Sequence, residues 1–600
     1  MTRRWLPGIF AGIILALFSL YPQFHLRELR GAEFAGAFAS CDLDEMAYAA
    51  YMQALIDGRP RKSDPYTGRD STPEDPQAES LFSIQFVPAY MAAIPARVLG
   101  LSASEMMPVV SAVSAFFTAL ALFWLVLSFT EDPDAAFAGT LVVLFGGALV
   151  SGIGAINGFL EGGAAYPFIP FLRRPIPSLA FPFLFAFFAC LWNGLAAVDR
   201  RRRAVYAIAA MLCFSVLVFS YFYLWTSAAA VLAGAVIAAL AVFGETRRRD
   251  AVYLLAISAL CAIPLVPYAV LLGGRNKMAD QAQLLVLTHQ PDLWRYVEIV
   301  GAVLIVMTAA VLLMRLSAVT RRQGAMILAL ALSPILVFNQ QVLTGHSLQP
   351  FHYEFYVINY VVLAAAVLFL GALWRRYVGE HRTISTAALM AIAAVAAIWG
   401  YVEVTHTTVF WDDINIQRDQ AMAVDVRLRE LAGQNIDSAK SETTLNLESL
   451  QADGQPTVAP QSVLWARHQN TSAGLHSLEE SRDRYYKLLY YSGADGEWLR
   501  KALTGCRDIE ACMALFGWDR FNARLSANAR PLTKPEIDDE VRKFSGFVKE
   551  FDLVDAEEPR LSYLIVYESS RDTLQNVEKW YDLDAGERLG EYRLYKLKLR

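Results

Sequence analysis

The feature that most constrains this chain is a repeat of apolar runs, each of membrane-crossing length, that fills residues 6–404 of the 600. A helix needs about 20 apolar residues to cross the hydrocarbon core. Runs near 6–20, 106–129, 136–154, 178–198, 204–222, 226–243, 251–272, 297–314, 324–342, 356–373 and 384–404 meet that length, and they predict about eleven spans. With 55% hydrophobic residues and a mean hydropathy of +0.33, the chain lies well outside ordinary soluble composition. Its net charge of -5 offers nucleic acid no basic footprint.

The basic loops set an expected orientation. Arg3 and Arg4 precede the first run and no A-x-A cleavage site directly follows it, which predicts an uncleaved anchor with its N-terminus in the cytoplasm. Arg200–Arg203, Arg247–Arg249, Arg315 with Arg321 and Arg322, and Arg375 with Arg376 then all fall on the N-terminal side of the membrane. The turn Glu131-Asp132-Pro133-Asp134, on the same side, is neutral to the rule. An odd number of spans places everything after the last one outside. The uncleaved anchor, the Arg-rich inner loops and the high alanine content point to a bacterial inner membrane with the C-terminal part in the periplasm.

The expected fold class is therefore mainly α: a polytopic helical membrane bundle with a C-terminal extracytoplasmic α/β domain. Residues 1–405 form the membrane module, with a first outer loop at 21–104. Residues 406–461 read as a connecting helix and linker, and 462–600 as the α/β domain. Within that domain Ser462–Ala466, Leu561–Tyr567 and Glu591–Leu599 read as strands, and Leu478–Tyr491 and Lys534–Phe551 as helices. No phosphate-binding glycine loop or nucleophilic serine motif stands out there. Cys190, Cys213 and Cys261 sit in apolar runs as small packing residues, whereas Cys506 and Cys512 are placed to form a short-loop disulfide in an oxidising compartment. No Cys or His array has zinc-ligand spacing.

Candidate chemistry gathers on the outer side. Cys41–Gly58 carries Asp42, Asp44 and Glu45 just ahead of a helix whose Tyr48, Tyr51, Met52, Leu55 and Ile56 recur at helical spacing, with Gly58 as its stop. The plain reading makes one aspartate an N-cap and Glu45 a first-turn acid. The same carboxylates are also suited to take a proton from an acceptor hydroxyl or amine. Leu81–Gly100, broken by prolines at 88 and 95, reads as interfacial or re-entrant. Arg173, Arg174, Arg275 and Lys277 lie on the outer side against the usual charge bias and suit a donor phosphate, lipid headgroups being the alternative. His346 and His352 suit a phosphate or sugar hydroxyl better than a metal. Gln340, ending a span, and Glu354 face the same outer edge and, with Tyr48, are the candidate substrate-binding residues.

Asp44-Glu45-Met46-Ala47-Tyr48-Ala49, followed by Leu55-Ile56-Asp57-Gly58, resembles the DE-x-x-Y-A helix start in the first outer loop of GT-C glycosyltransferases, most closely the lipid A aminoarabinose transferases and the protein O-mannosyltransferases. The resemblance implies a GT-C-like membrane glycosyltransferase that inverts configuration and takes its sugar from a polyprenyl-phosphate carrier. It implies Asp44 as catalytic base with Glu45 beside it, while Asp42 creates an overlapping DxD reading that leaves the base open between the two. Expected partners are the lipid-linked donor, a glycan, lipid or protein acceptor, and membrane lipids. No cofactor is required, and a divalent cation, magnesium or manganese, is the one candidate. The motif covers about fifteen residues and the plan about 400. The C-terminal domain shows no such likeness. A polysaccharide ligase or polymerase is the alternative in the same class; a transporter or flippase, or an assembly factor working through its C-terminal domain, are alternatives outside it.

Overall fold

The protein is described from a computed structural model covering residues 2–161, 174–242, 247–276, 285–379, 381–469, 475–517, 520, 530–569 and 574–600. Its main helices are α1 (Thr2–Arg30), α2 (Glu45–Ile56), α3 (Val87–Leu99), α4 (Ala103–Thr130), α5 (Pro133–Val150), α6 (Phe181–Ala196), α7 (Arg200–Val218), α8 (Phe222–Val242), α9 (Arg247–Ala262), α10 (Tyr296–Leu313), α11 (Arg321–Asn339), α12 (Ile358–Tyr377), α13 (Arg382–Phe410) and α14 (Asp412–Ala432). Among the described residues, ten helical stretches are long and apolar enough to cross a membrane. The expected span at 204–222 is also helical, as α7, but arginines 200–203 fill its first turn and keep it below that mark. Helix starts follow local chemistry. Ser102 and Glu105 form a capping box at α4, Asp132 accepts from the Asp134 and Ala135 amides at α5, and Thr320 and Gln323 close the start of α11.

The bundle packs α1 on α4 and α5, α6 on α4 and α7, α8 on α11, and α13 on α5. At Gly400 of α13 an added Cβ would strike the Phe145 ring, so glycine sets how closely those two helices approach. Large apolar side chains such as Val252, Leu255, Val306, Val395 and Ile398 remain exposed on α9, α10 and α13, the belt expected where lipid replaces protein.

Two outer connections differ from loops. Val87–Leu99 is helical and turns its alanines (89, 92, 93 and 96) inward against α2, while Met91, Ile94, Val98 and Leu99 face outward. The Val87 amide donates to the Phe219 carbonyl just past α7, so α3 lies at the end of the bundle. Further on, β1 (Leu285–Leu287) pairs antiparallel with β2 (His346–Leu348), tying together the two connections that hold them.

The C-terminal domain holds β3 (Thr443–Asn446), β4 (Ser462–Val463), β5 (Leu561–Tyr567), β6 (Tyr581–Leu583), β7 (Glu587–Leu589) and β8 (Tyr592–Leu599). Strand order is β4-β3-β5-β8-β6, parallel across the first three and antiparallel beyond, with β7 also paired to β8. The region read as linker thus contributes β3, a central strand buried at all four positions. The helices Leu478–Tyr491 and Lys534–Glu550 appear where the sequence placed them. Cys506 and Cys512 are bridged, with Cα atoms 5.8 Å apart.

This domain is laced to the first outer loop. Asp419 of α14, fully buried, accepts from the Ala35, Gly36 and Ala37 amides at 3.1 Å and from Arg30 at 2.9 Å. The Val463 amide donates to the Tyr66 carbonyl at 2.8 Å. At Gly68, whose φ is +72°, a Cβ would collide with the Lys440 carbonyl, so the two chains meet backbone to backbone.

Candidate active site

The acidic stretch forms a tight turn leading into α2. Asp44 occupies the N-cap position with helical dihedrals and makes no side-chain cap bond. Asp42 Oδ1 instead accepts the Asp44 amide at 2.9 Å, and Glu45 Oε1 accepts the Cys41 amide at 2.8 Å. Those two carboxylates fold the turn. The helix it starts is buried on both faces, because α3 and the C-terminal domain cover what the sequence stripe left polar.

Exposure separates the two aspartates. The Asp42 side chain is 4% exposed and Asp44 is 43% exposed, so the Asp44 carboxylate is accessible while Asp42 is buried. Arg174 meets both. Its Nη2 is ion-paired with Asp44, and its Nε lies 3.8 Å from Asp42. It also donates to the Tyr221 hydroxyl at 3.2 Å. The position follows from Pro175 and Pro177, which start a short turn before α6 and fix Arg174 in extended backbone at the lip of the bundle.

An aromatic wall continues from there. The Tyr221 and Tyr223 rings are 5.1 Å apart, and Tyr223 stands edge-on to His352 at 4.6 Å and to Tyr353 at 4.9 Å. His352 is buried and thereby joins the surroundings of Arg174. Tyr48 is half-buried and packs edge-on against Phe82 at 5.2 Å.

The remaining candidates sit farther out. Arg275 Nη1 donates to the Leu272 carbonyl at 2.7 Å, and its residue bridges Glu79. Glu79 is held by two Arg61 contacts of 2.7 Å and by the Ser83 hydroxyl at 2.6 Å; burial works to raise its pKa, and these bonds more than offset it, leaving it below the usual carboxylate range. His346 is exposed on the β1–β2 ribbon, its Nδ1 2.7 Å from the Thr344 carbonyl, and Gln340 donates to the His346 carbonyl at 2.7 Å. Glu354 is buried in an ion pair with Arg295, which also binds Asp292 at 2.7 Å. That pairing gives Glu354 a structural partner inside the bundle wall. Arg173 and Lys277 lie outside the described residues.

Several neighbours of the site were not singled out by sequence. Tyr221 and Tyr223 fall at the junction of the expected spans 204–222 and 226–243. Arg467 and His468 come from the C-terminal domain: His468 lies 2.9 Å from the Leu43 carbonyl, between the two aspartates, and Arg467 is within electrostatic reach of Asp44 and Asp42. Their sequence signal is a polar Arg-His-Gln run one residue past the buried Trp465. Arg418 of α14 lies behind the turn with its guanidinium 4.2 Å from the Phe38 ring; burial draws its pKa down to about 10, against the pull of Glu45 and Asp425.

No group of three or more His, Cys, Asp or Glu side chains with metal-binding geometry comes together among the described residues.

No family model and no curated protein matches the chain. Among solved structures it is similar to the Archaeoglobus fulgidus oligosaccharyltransferase, determined in complex with zinc and sulfate, with 13% identity and a TM-score of 0.45 over 95% of this chain and 71% of that one. At that level the meaning of the site rests on its own residues.

Proposed function

We propose that this protein is a membrane glycosyltransferase that moves a sugar from a polyprenyl-phosphate-linked donor to a hydroxyl or amine of a glycan, lipid or protein acceptor, with inversion, at the outer face of a bacterial inner membrane. The observation that carries the reading is the pairing of a half-exposed carboxylate, Asp44, with the buried guanidinium of Arg174 at one end of a bundle of apolar helices. One group accepts a proton; the other offers a phosphate a planar fork of donors. The likeness of Asp44–Ala49 to the GT-C loop motif points the same way.

The pairing itself suggests how the site works. Arg174 holds the Asp44 carboxylate in an ion pair. A donor phosphate competes for the same guanidinium, and a carboxylate released from it is the better base. The acceptor oxygen or nitrogen then attacks the anomeric carbon, its proton passes to Asp44, and the carbon–oxygen bond to phosphate breaks with its electron pair leaving on the polyprenyl phosphate. Arg174 balances the charge that develops there. Asp42 and Glu45 act by holding the turn, through the amides of Asp44 and Cys41. In this reading His352 and Tyr223 border the phosphate site, Tyr48 is assigned to the acceptor, and Arg275, His346 and Gln340 are assigned to the donor and its carrier.

The test is sugar transfer from polyprenyl-phosphate donors by the full-length protein. Asp44→Asn preserves shape and capping ability yet removes the proton acceptor, so turnover is expected to fall 10²-fold or more, roughly the scale of lost acid–base catalysis, in a normally inserted protein. Asp42→Asn keeps an oxygen for the Asp44 amide and is expected to cost less. Full activity in both variants would remove the acidic turn from the catalytic centre.

A further inference from the structure

A short segment of the C-terminal domain, Trp465–Gln469, reaches the acidic turn. His468 on it is 1% exposed at its side chain, and its Nε2 lies 2.9 Å from the carbonyl oxygen of Leu43. A carbonyl only accepts, so Nε2 carries the hydrogen. The same nitrogen lies 3.0 Å from Arg467 Nη2, which donates to it in the other tautomer; we take the Nε2–H tautomer, with Arg467 paired to Asp453 at 3.2 Å. Asp453, also buried, accepts the His468 amide at 3.1 Å, and its carbonyl accepts the Tyr66 hydroxyl at 3.0 Å. His468 is therefore held from behind by its own domain and by the first outer loop together.

Leu43 is the residue between Asp42 and Asp44. Its peptide groups set the direction of both carboxylates, and a bond to its carbonyl fixes the rotation of the turn about that point. We propose that His468 is a positioning residue: through the Leu43 carbonyl, the C-terminal domain holds Asp44 in line with Arg174. This rests on the proposed glycosyltransferase reading for its kinetic consequence, though not for its structural one. It gives the domain a part in the site itself, in addition to whatever it binds.

The test uses the full-length protein and a probe beside the turn. Cys41, next to Asp42, is a buried free thiol. In His468→Ala its modification by N-ethylmaleimide, read by peptide mass mapping, is expected to speed up about tenfold, as loss of one buried hydrogen bond would allow. His468→Gln, whose side-chain amide can donate to the same carbonyl, is expected to restore protection. Sugar transfer is expected to follow, with kcat down about 10²-fold in His468→Ala, donor KM little changed, and Gln recovering most of the loss. Should His468→Ala fail to fold, His468→Asn, polar but too short to reach, serves in its place. Cys41 as protected in the Ala or Asn variant as in the natural protein, or a Gln variant no better than Ala, overturns the proposal. A natural protein that transfers no sugar while Cys41 protection still follows residue 468 overturns the functional reading and leaves the positioning role standing.

Discussion

Two carboxylate–arginine clusters sit at opposite ends of the helical bundle, built from the same chemistry and arranged for different ends. At the arginine-rich end Asp250 of α9 is fully buried and meets Arg203 of α7, Arg322 of α11 at 3.1 Å and Arg249 at 3.8 Å. Arg203 is further held by the Ala197, Leu195 and Arg249 carbonyls. Cations from three helices close over one carboxylate and leave no approach for a ligand. At the other end the proportion reverses: two carboxylates, one of them 43% exposed, share Arg174. A surplus of arginines around a buried acid makes a clamp. Two acids that both meet Arg174, one of them with a side open, leave a group able to change partners.

The sharpest test of the comparison is whether the two clusters lie on opposite faces of the membrane. A reporter fused at Arg600 is expected to read periplasmic and one near Arg248 cytoplasmic, each all-or-none; both on one side would break the comparison and the proposed location together. Next in size is stability. Asp250→Ala strands the buried Arg203 and is expected to cost about 3–5 kcal/mol in unfolding measurements in detergent. Asp44→Ala, which removes a half-exposed partner, is expected to cost about 1 kcal/mol or less. Equal losses would erase the distinction between clamp and site. Arg174→Lys keeps the charge and loses the fork, so donor affinity, turnover or both are expected to fall by about tenfold with the melting temperature nearly unchanged.

The smallest effect belongs to Glu79, an intermediate case with two Arg61 bonds and a serine. Its pKa is lowered on folding, so the stability it contributes is complete above the ordinary value of 4.5 and is lost as pH falls through the lower folded value. Glu79→Gln is expected to be less stable at neutral pH and to show a shallower loss of stability on acidification. Parallel melting curves for the two proteins from pH 6 to 3 check this, and identical slopes would count against it.

The apolar runs, the acidic turn ahead of α2 and the alternation of elements in the C-terminal domain were legible because each is a local property. A stretch that must satisfy its own backbone in lipid has to be long and apolar, and a capping box is four residues wide. Leu561–Tyr567 could be read as a strand from its own seven residues. Thr443–Asn446 could not, being four residues buried on both faces with no alternation to see, and so the segment around it looked like a linker.

The sequence by itself therefore determined that the chain is a bundle of apolar helices with a separate α/β domain, and that three acids stand together at a helix start. Only the tertiary structure decided which aspartate faces outward, which outer arginine reaches it, and that a histidine of the distant domain holds the turn between them. Those choices join residues 130 and 425 positions apart, Asp44 with Arg174 and Leu43 with His468. Periodicity and capping act over a few neighbouring residues, whereas side chains that far apart are brought together only when the packed cores of two domains fix where each loop ends.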